Sequence, residues 1–403
     1  MRTGDCTKPG SSNRFMPELA AAGLLAPAEL MRAAIERAGS SDFGGQAFEP
    51  ALHRLTTALA EQANLNEAGR GQVNAKLLGR LVNRLRLRQQ ATAHPEIAGL
   101  PIERPVFIVG LHRTGSTFAH ALLSQHPELS GPVAWELMFP VTPPGHTEAE
   151  LIEQSQAAFD GLFADYPAFR SIHDMYASMP DECRWLMGNE FQDITESTIE
   201  YRIPDYTRWL MAADLTDAYR GHRRQLQHIL WRRPRTGSLL LKNPGHLWHL
   251  PEISKVYPDA RLIVLHREPV SAIASACSLS LSSRLMTSDR VDRSEIGRER
   301  VELTVGALRA LLDFRDRPLG GSQILDLRYA DLLADPTGAA ATVFEFLELP
   351  VTPSVRAAVR DHVRANPQHQ HGRHAYAPEE FGVRADAITD EFVPYRERFL
   401  GGR

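Results

Sequence analysis

Between Gly110 and Thr117 the chain reads Gly-Leu-His-Arg-Thr-Gly-Ser-Thr. This is most of the phosphate-loop spacing, two glycines five residues apart and then two hydroxyl residues. Such a loop aims several backbone N–H groups and a helix N-terminus at one anion. A nucleoside triphosphate loop needs Lys after its second Gly, and here that residue is Ser116. The positive charge sits at Arg113 instead, and no acidic strand end offers itself to share a magnesium ion with Thr117. The spacing therefore predicts an anion site for something other than Mg-ATP. A second cation, Arg267, ends the apolar run Arg261–His266, and Ser275 follows eight residues later, about two helical turns on. A guanidinium from a strand end and a hydroxyl from a helix make a phosphate clamp. A third cation, Lys242, ends the run Ser238–Leu241. Lys8, Lys76, Lys242 and Lys255 are the only lysines among 45 basic residues, which singles out one at a strand end.

These residues need a scaffold. Val106–Gly110 is short, apolar and β-rich, as expected of a buried parallel strand. Three more such runs follow, at 238–242, 260–268 and 323–329, with helical patterns between them. Strands alternating with helices predict an α/β fold, a P-loop-like parallel sheet flanked by helices. Residues 1–16 read as a frayed tail and 17–100 as a helical N-terminal region. Residues 101–403 read as the α/β domain, with a helical insertion over 145–235. In the N-terminal region Leu77, Leu78, Leu81 and Leu85 recur at helical spacing. The arginines among them, Arg80, Arg84, Arg86 and Arg88, are expected to form a solvated face. The insertion is rich in aromatics and charge, including Trp185, Phe191, Tyr201, Tyr206, Trp209 and Trp231.

Composition narrows the function classes. Over 403 residues the chain is 43% hydrophobic and 23% charged, an ordinary globular balance. A net charge of −4 argues against a nucleic-acid partner. No apolar run approaches 18 residues, so no integral membrane segment is expected. Cys6, Cys183 and Cys277 are too few and too scattered for a disulfide framework, which points to the cytoplasm. A homo-oligomer is compatible with the sequence.

The loop His112–Thr117 and the following Ser124–Leu129 together resemble the 5′-phosphosulfate loop of sulfotransferases. The tyrosylprotein and bacterial branches carry a similar Arg-containing loop. Arg267 and Ser275 match the family's 3′-phosphate ligands, and the run Tyr257–Pro269 is similar to a bacterial branch with varied acceptors. The resemblance spans roughly residues 105–330. It implies a sulfotransferase that moves a sulfuryl group from 3′-phosphoadenosine 5′-phosphosulfate (PAPS) to a hydroxyl on a small molecule, lipid or glycan. No metal is required for that transfer. Arg113, Thr114, Gly115, Ser116 and Thr117 would hold the 5′-phosphosulfate, and Lys242 with Arg113 would assist the leaving oxygen. Tyr329, in a segment similar to the family's Arg-Tyr strand end, would lie near the adenine. Gly372 and Arg373 would belong to a lid over the 3′-phosphate, which is preferred to a zinc reading of His369, His371 and His374.

For the base that deprotonates the acceptor, the resemblance implies Glu136, in Trp135-Glu136, although the register is not identical. Asp181, Glu182, His112 and His246 are rivals. Two other readings compete with sulfuryl transfer. One is a P-loop kinase or other NTPase, which would depend on magnesium. The other is a nucleotide-binding module without catalysis, for which Lys242 would be dispensable.

Overall fold

The computed structural model describes residues 23–172, 174–317, 323–366 and 377–401. Five parallel strands form one sheet: β1 (Val106–Gly110), β2 (Leu129–Ser130), β3 (Ser238–Lys242), β4 (Arg261–His266) and β5 (Ile324–Arg328). Their order across the sheet is β2-β3-β1-β4-β5. All five residues of β1 are buried, because helices cover both faces of a central parallel strand. The edge strand β5 carries Asp326 and Arg328 and is more exposed. The four apolar runs in the sequence thus become strands. β2, two residues long, has too little sequence to show a pattern.

After β1 the chain moves to the β2–β3 side of the sheet, and after β3 it crosses over β1 to β4 and β5. The carboxyl ends of β1 and β4 therefore flank the point where connections diverge, the usual place for a ligand in an open α/β sheet. The register pairs Gly110 with Leu265 and Ile108 with Lys242. It sets the 110–117 loop beside the strand end that carries Arg267, with Lys242 one strand over on the other side.

The N-terminal helices, α1 (Pro27–Ala38), α2 (Glu49–Gln62) and α3 (Glu67–Ala93), share one apolar core with β1, β3, β4 and the 184–229 helices. α3 buries Leu77, Leu78, Leu81 and Leu85, as the leucine spacing predicts. Its arginines correct the expectation of a solvated face. Arg80 donates to Glu196 at 2.7 Å and Arg84 to Glu190 at 2.6 Å, both guanidinium groups being largely buried. Lys76 joins the same network through Glu196 and Glu200. Arg88 alone of the three arginines in ion pairs makes an exposed one, with Asp42. Charge on one helix face was matched by carboxylates more than 100 residues away, a pairing that local sequence pattern cannot reveal.

No helix among the described residues is long and apolar enough to cross a membrane.

Candidate active site

The loop after β1 ends at Gly115, which opens the helix α4 (Ser116–Leu123). Gly115 has φ +80°, and a Cβ there would lie 2.8 Å from the Tyr329 ring. Both facts require glycine, since a side chain would be strained and would strike Tyr329. Thr114 is fully buried and donates to the Leu111 carbonyl at 2.8 Å. Its hydroxyl braces the turn, leaving the loop's backbone N–H groups and Ser116 and Thr117 for an anion. Arg113 adopts φ +70°, an unusual conformation for a side-chain-bearing residue.

Three more of the expected donor-binding residues gather around that arginine. Arg113 Nε donates to Ser275 Oγ at 3.0 Å, and its Nη1 donates to the Ile172 carbonyl at 3.1 Å. Arg267 donates to the Arg113 carbonyl and lies over the Tyr329 ring at 4.5 Å. Ser275, 3% exposed, stands on the helix Pro269–Leu285 that follows β4. Arg113, Arg267, Ser275 and Tyr329 are thus one contiguous cluster on the β1–β4 side of the loop. Gly372 and Arg373, and the nearby histidines, lie outside the described residues.

Lys242 stands on the other side of the loop. It is 1% exposed, and its Nζ lies 3.3 Å from Thr117 Oγ1 and 2.7 Å from Glu182 Oε1. A buried ammonium is held next to the first turn of the anion-binding helix and paired with a carboxylate. Glu182 comes from the insertion, on the segment leading into the helix Arg184–Asn189. That segment is fastened to the sheet. Asp181 N–H donates to Pro132 O at 3.2 Å, and Cys183 N–H donates to Lys242 O at 2.9 Å. The Asn243 side chain, next in the chain, contacts Thr195 and accepts from Gly245 N–H.

Glu136 is placed differently. It is fully buried, and its carboxylate is gripped by Arg235, by Arg233 at 3.3 Å and by the Val133 N–H at 2.9 Å. Arg232 lies over the neighbouring Trp135 ring at 4.6 Å. The Trp-Glu pair clamps the short helix Ala134–Met138 onto the C-terminal end of the helix Thr216–Arg232, and none of its polar partners belongs to the loop or to Lys242. The carboxylate beside the cation is Glu182, marked in the sequence by the acidic pair Asp181-Glu182 within the insertion. Asp181 accepts from the Trp185 indole at 2.8 Å.

The two histidines weighed as the base, His112 and His246, are buried. Burial holds His112 down to about 3, and among the described residues its Nε2 has no hydrogen-bond partner. Burial likewise puts His246 well below the ordinary range, with Nδ1 bonded to the Tyr219 hydroxyl at 2.8 Å.

The arrangement can bind an anion with loop amides, clamp a second phosphate between a guanidinium and a hydroxyl, and present a buried Lys–Glu pair to whatever occupies the loop. Residues 105–353 match the sulfotransferase family profile. The chain is 26% identical over 277 residues to the omega-hydroxy-beta-dihydromenaquinone-9 sulfotransferase Stf3 of Mycobacterium bovis, covering 64% of this chain and 67% of that protein. It superposes on the crystal structure of sulfotransferase STF1 from Mycobacterium tuberculosis with a TM-score of 0.81 at 28% identity, over 92% of this chain and 99% of the other. For sulfotransferase STF9 from Mycobacterium avium the TM-score is 0.80 at 26% identity, over 94% and 98% of the two chains. With the family profile covering more than half of its length, the chain belongs to the sulfotransferase family, and it is a sulfuryl-transferring enzyme.

Proposed function

We propose that the protein transfers a sulfuryl group from PAPS to an alcohol carried by an apolar small molecule or lipid. The observation that carries this reading is the position of Lys242 Nζ, between Thr117 of the anion loop and the Glu182 carboxylate. In this reading the loop amides from Arg113 to Thr117 bind the 5′-phosphosulfate, and Arg267 and Ser275 bind the 3′-phosphate. Tyr329 packs against Gly115 and under Arg267, where it would border the adenine.

Glu182 takes the hydroxyl proton as the acceptor oxygen bonds to sulfur. The bond from sulfur to the bridging phosphate oxygen breaks in the same in-line displacement. Lys242 and the loop meet the charge that develops on the departing oxygen. Burial of the Lys–Glu pair strengthens both effects by excluding water. An apolar wall supports an apolar acceptor. Trp185, three residues after Glu182, packs with the partly exposed Met138, Phe169 and Met175 against Phe159 and Phe163. The menaquinone-derived alcohol named for the Stf3 relative belongs to the same chemical class.

The test is a thermal-shift comparison of 3′-phosphoadenosine 5′-phosphate with ATP, each with and without magnesium, followed by transfer of labelled sulfuryl groups from PAPS to isoprenoid and aryl alcohols. A ligand at about 100 times its Kd stabilises the native state by roughly 2.7 kcal/mol. The expected result is a metal-independent shift with the 3′-phosphorylated ligand and labelled product with the apolar alcohols. A shift confined to magnesium-ATP would overturn the reading in favour of a kinase.

A further inference from the structure

Behind the Lys–Glu pair, three side chains from separate elements converge. Cys183 precedes the helix Arg184–Asn189, His222 lies on the helix Thr216–Arg232, and His246 lies in the turn Pro244–Trp248 after β3. Each offers a ligand atom within 4.8 Å of the other two. All three are at most 1% exposed. In both imidazoles Nδ1 is already engaged, His222 with the Tyr257 hydroxyl at 2.7 Å and His246 with the Tyr219 hydroxyl at 2.8 Å. In both, Nε2 is buried and, among the described residues, has no hydrogen-bond partner.

Buried polar atoms are almost always satisfied, so two orphaned Nε2 atoms in one cluster call for an explanation. In the tautomer whose Nδ1–H donates to the tyrosine oxygen, Nε2 carries the lone pair and is free to bind a cation. This is the arrangement that outer-sphere partners impose on metal-binding histidines. One thiol and two imidazoles suit zinc, and they disfavour magnesium or calcium, which take oxygen ligands.

We propose that Cys183, His222 and His246 bind one zinc ion, which fastens the insertion to the end of β3. Zinc bonds of about 2.0–2.3 Å need donor separations of roughly 3.3–3.8 Å, so atoms within 4.8 Å of one another need close by at most about 1.5 Å, and a water completes the four-coordinate shell. Binding releases the Cys183 thiol proton to solvent as the zinc–thiolate bond forms. The ion would sit one residue from Glu182, and Cys183 N–H also donates to the Lys242 carbonyl. It therefore braces the backbone of both members of the pair without touching the reacting atoms. The proposal does not depend on the identity of donor or acceptor.

The experiment uses the full, untagged chain, purified reduced and without chelator. Elemental analysis is expected to find about one zinc per chain. Cobalt added after zinc removal is expected to give a thiolate-to-cobalt charge-transfer band and intense tetrahedral d–d bands. Cys183→Ser abolishes the charge-transfer band, while Cys277→Ser, at a buried thiol outside the cluster, retains it. Tyr219→Phe, which removes a partner of a ligand but no ligand, lowers zinc affinity by about 10-fold or more. Wild-type protein without zinc and without a cobalt–thiolate band overturns the proposal, even if Cys183→Ser fails to fold. So does a band that survives Cys183→Ser.

Discussion

The two sides of the candidate site are built in opposite ways. On the side proposed to hold the donor, Arg113, Arg267 and Tyr329 lie at or just beyond the carboxyl ends of strands and Ser275 stands about two turns along the helix after β4, each within a few residues of a recognisable motif. On the side proposed to meet the acceptor, Lys242 also ends a strand, but its partner Glu182 arrives from an insertion 60 residues earlier in the chain. The donor side is fixed by sheet register and one tight loop. The acceptor side is fixed by hydrogen bonds between irregular segments, such as Cys183 N–H to Lys242 O and Asp181 N–H to Pro132 O. A common donor can be served by a constant scaffold, whereas an insertion can change its lining without disturbing the sheet.

The largest effect that separates the two sides is expected at Lys242. Lys242→Ala should lower the rate of transfer by about 10³-fold, the scale of losing a preorganised charge partner for a developing oxyanion. Binding of 3′-phosphoadenosine 5′-phosphate, measured by calorimetry, should change far less. Equal losses in rate and affinity would show that Lys242 is a donor-binding residue and would erase the distinction.

Next in size are the donor-side variants, which should reverse that pattern. Arg267→Ala removes a charged contact worth about 1.5–3 kcal/mol, so donor affinity should fall by roughly 10- to 100-fold. Ser275→Ala should cost about 1 kcal/mol, or several-fold. Both should keep most of the rate at saturating donor. Gly115→Ala should be as damaging as Arg267→Ala, because its methyl group would meet Tyr329 and the residue would be forced to a positive φ. A Gly115→Ala protein with unchanged donor affinity would mean that the Tyr329 contact does not shape the donor site.

A further effect, on stability rather than on transfer, is a pH dependence set by His120. His120 lies on α4 beneath the loop, its Nε2 hydrogen-bonded to the Leu240 carbonyl at 3.1 Å, and burial depresses its pKa to about 3. The ordinary value is 6.5, so below that pH the unfolded chain binds a proton that the folded chain refuses. Stability from this group is complete above pH 6.5 and declines as pH falls toward 3, by about 2 kcal/mol at pH 5. Urea unfolding at pH 7.5 and 5 should show a smaller decline in His120→Gln than in wild type. An identical decline would mean that His120 takes up a proton without cost in the fold.

Much of the donor side was legible because its signals are local. Val106–Gly110 followed by a Gly-rich loop, and Arg267 followed eight residues later by Ser275, are patterns over a few residues. The apolar runs gave the four longer strands for the same reason. The acceptor side was harder. Glu136 and Glu182 are both buried glutamates near a phosphate-loop helix, and sequence ranked Glu136 first by analogy. The structure gives Glu136 to Arg233 and Arg235, which lie about 100 residues further along the chain, and leaves Glu182 beside Lys242. The arginines of α3 were misjudged for a related reason, since Glu190 and Glu196 lie in the insertion. Pairing between distant charges depends on tertiary packing, and no periodicity reports it.

The comparison between these two glutamates tests the account most directly. Single-turnover transfer of labelled sulfuryl groups should be measured from PAPS to an alcohol acceptor for wild type, Glu182→Gln and Glu136→Gln. Loss of a general base is expected to slow Glu182→Gln by about 10²- to 10⁴-fold with donor affinity retained. Glu136→Gln should transfer at close to the wild-type rate while losing roughly 3–5 kcal/mol of stability, because Arg235 is left buried without its counter-charge. A Glu182→Gln enzyme as fast as wild type, or a folded Glu136→Gln enzyme that binds donor and turns nothing over, would contradict the account.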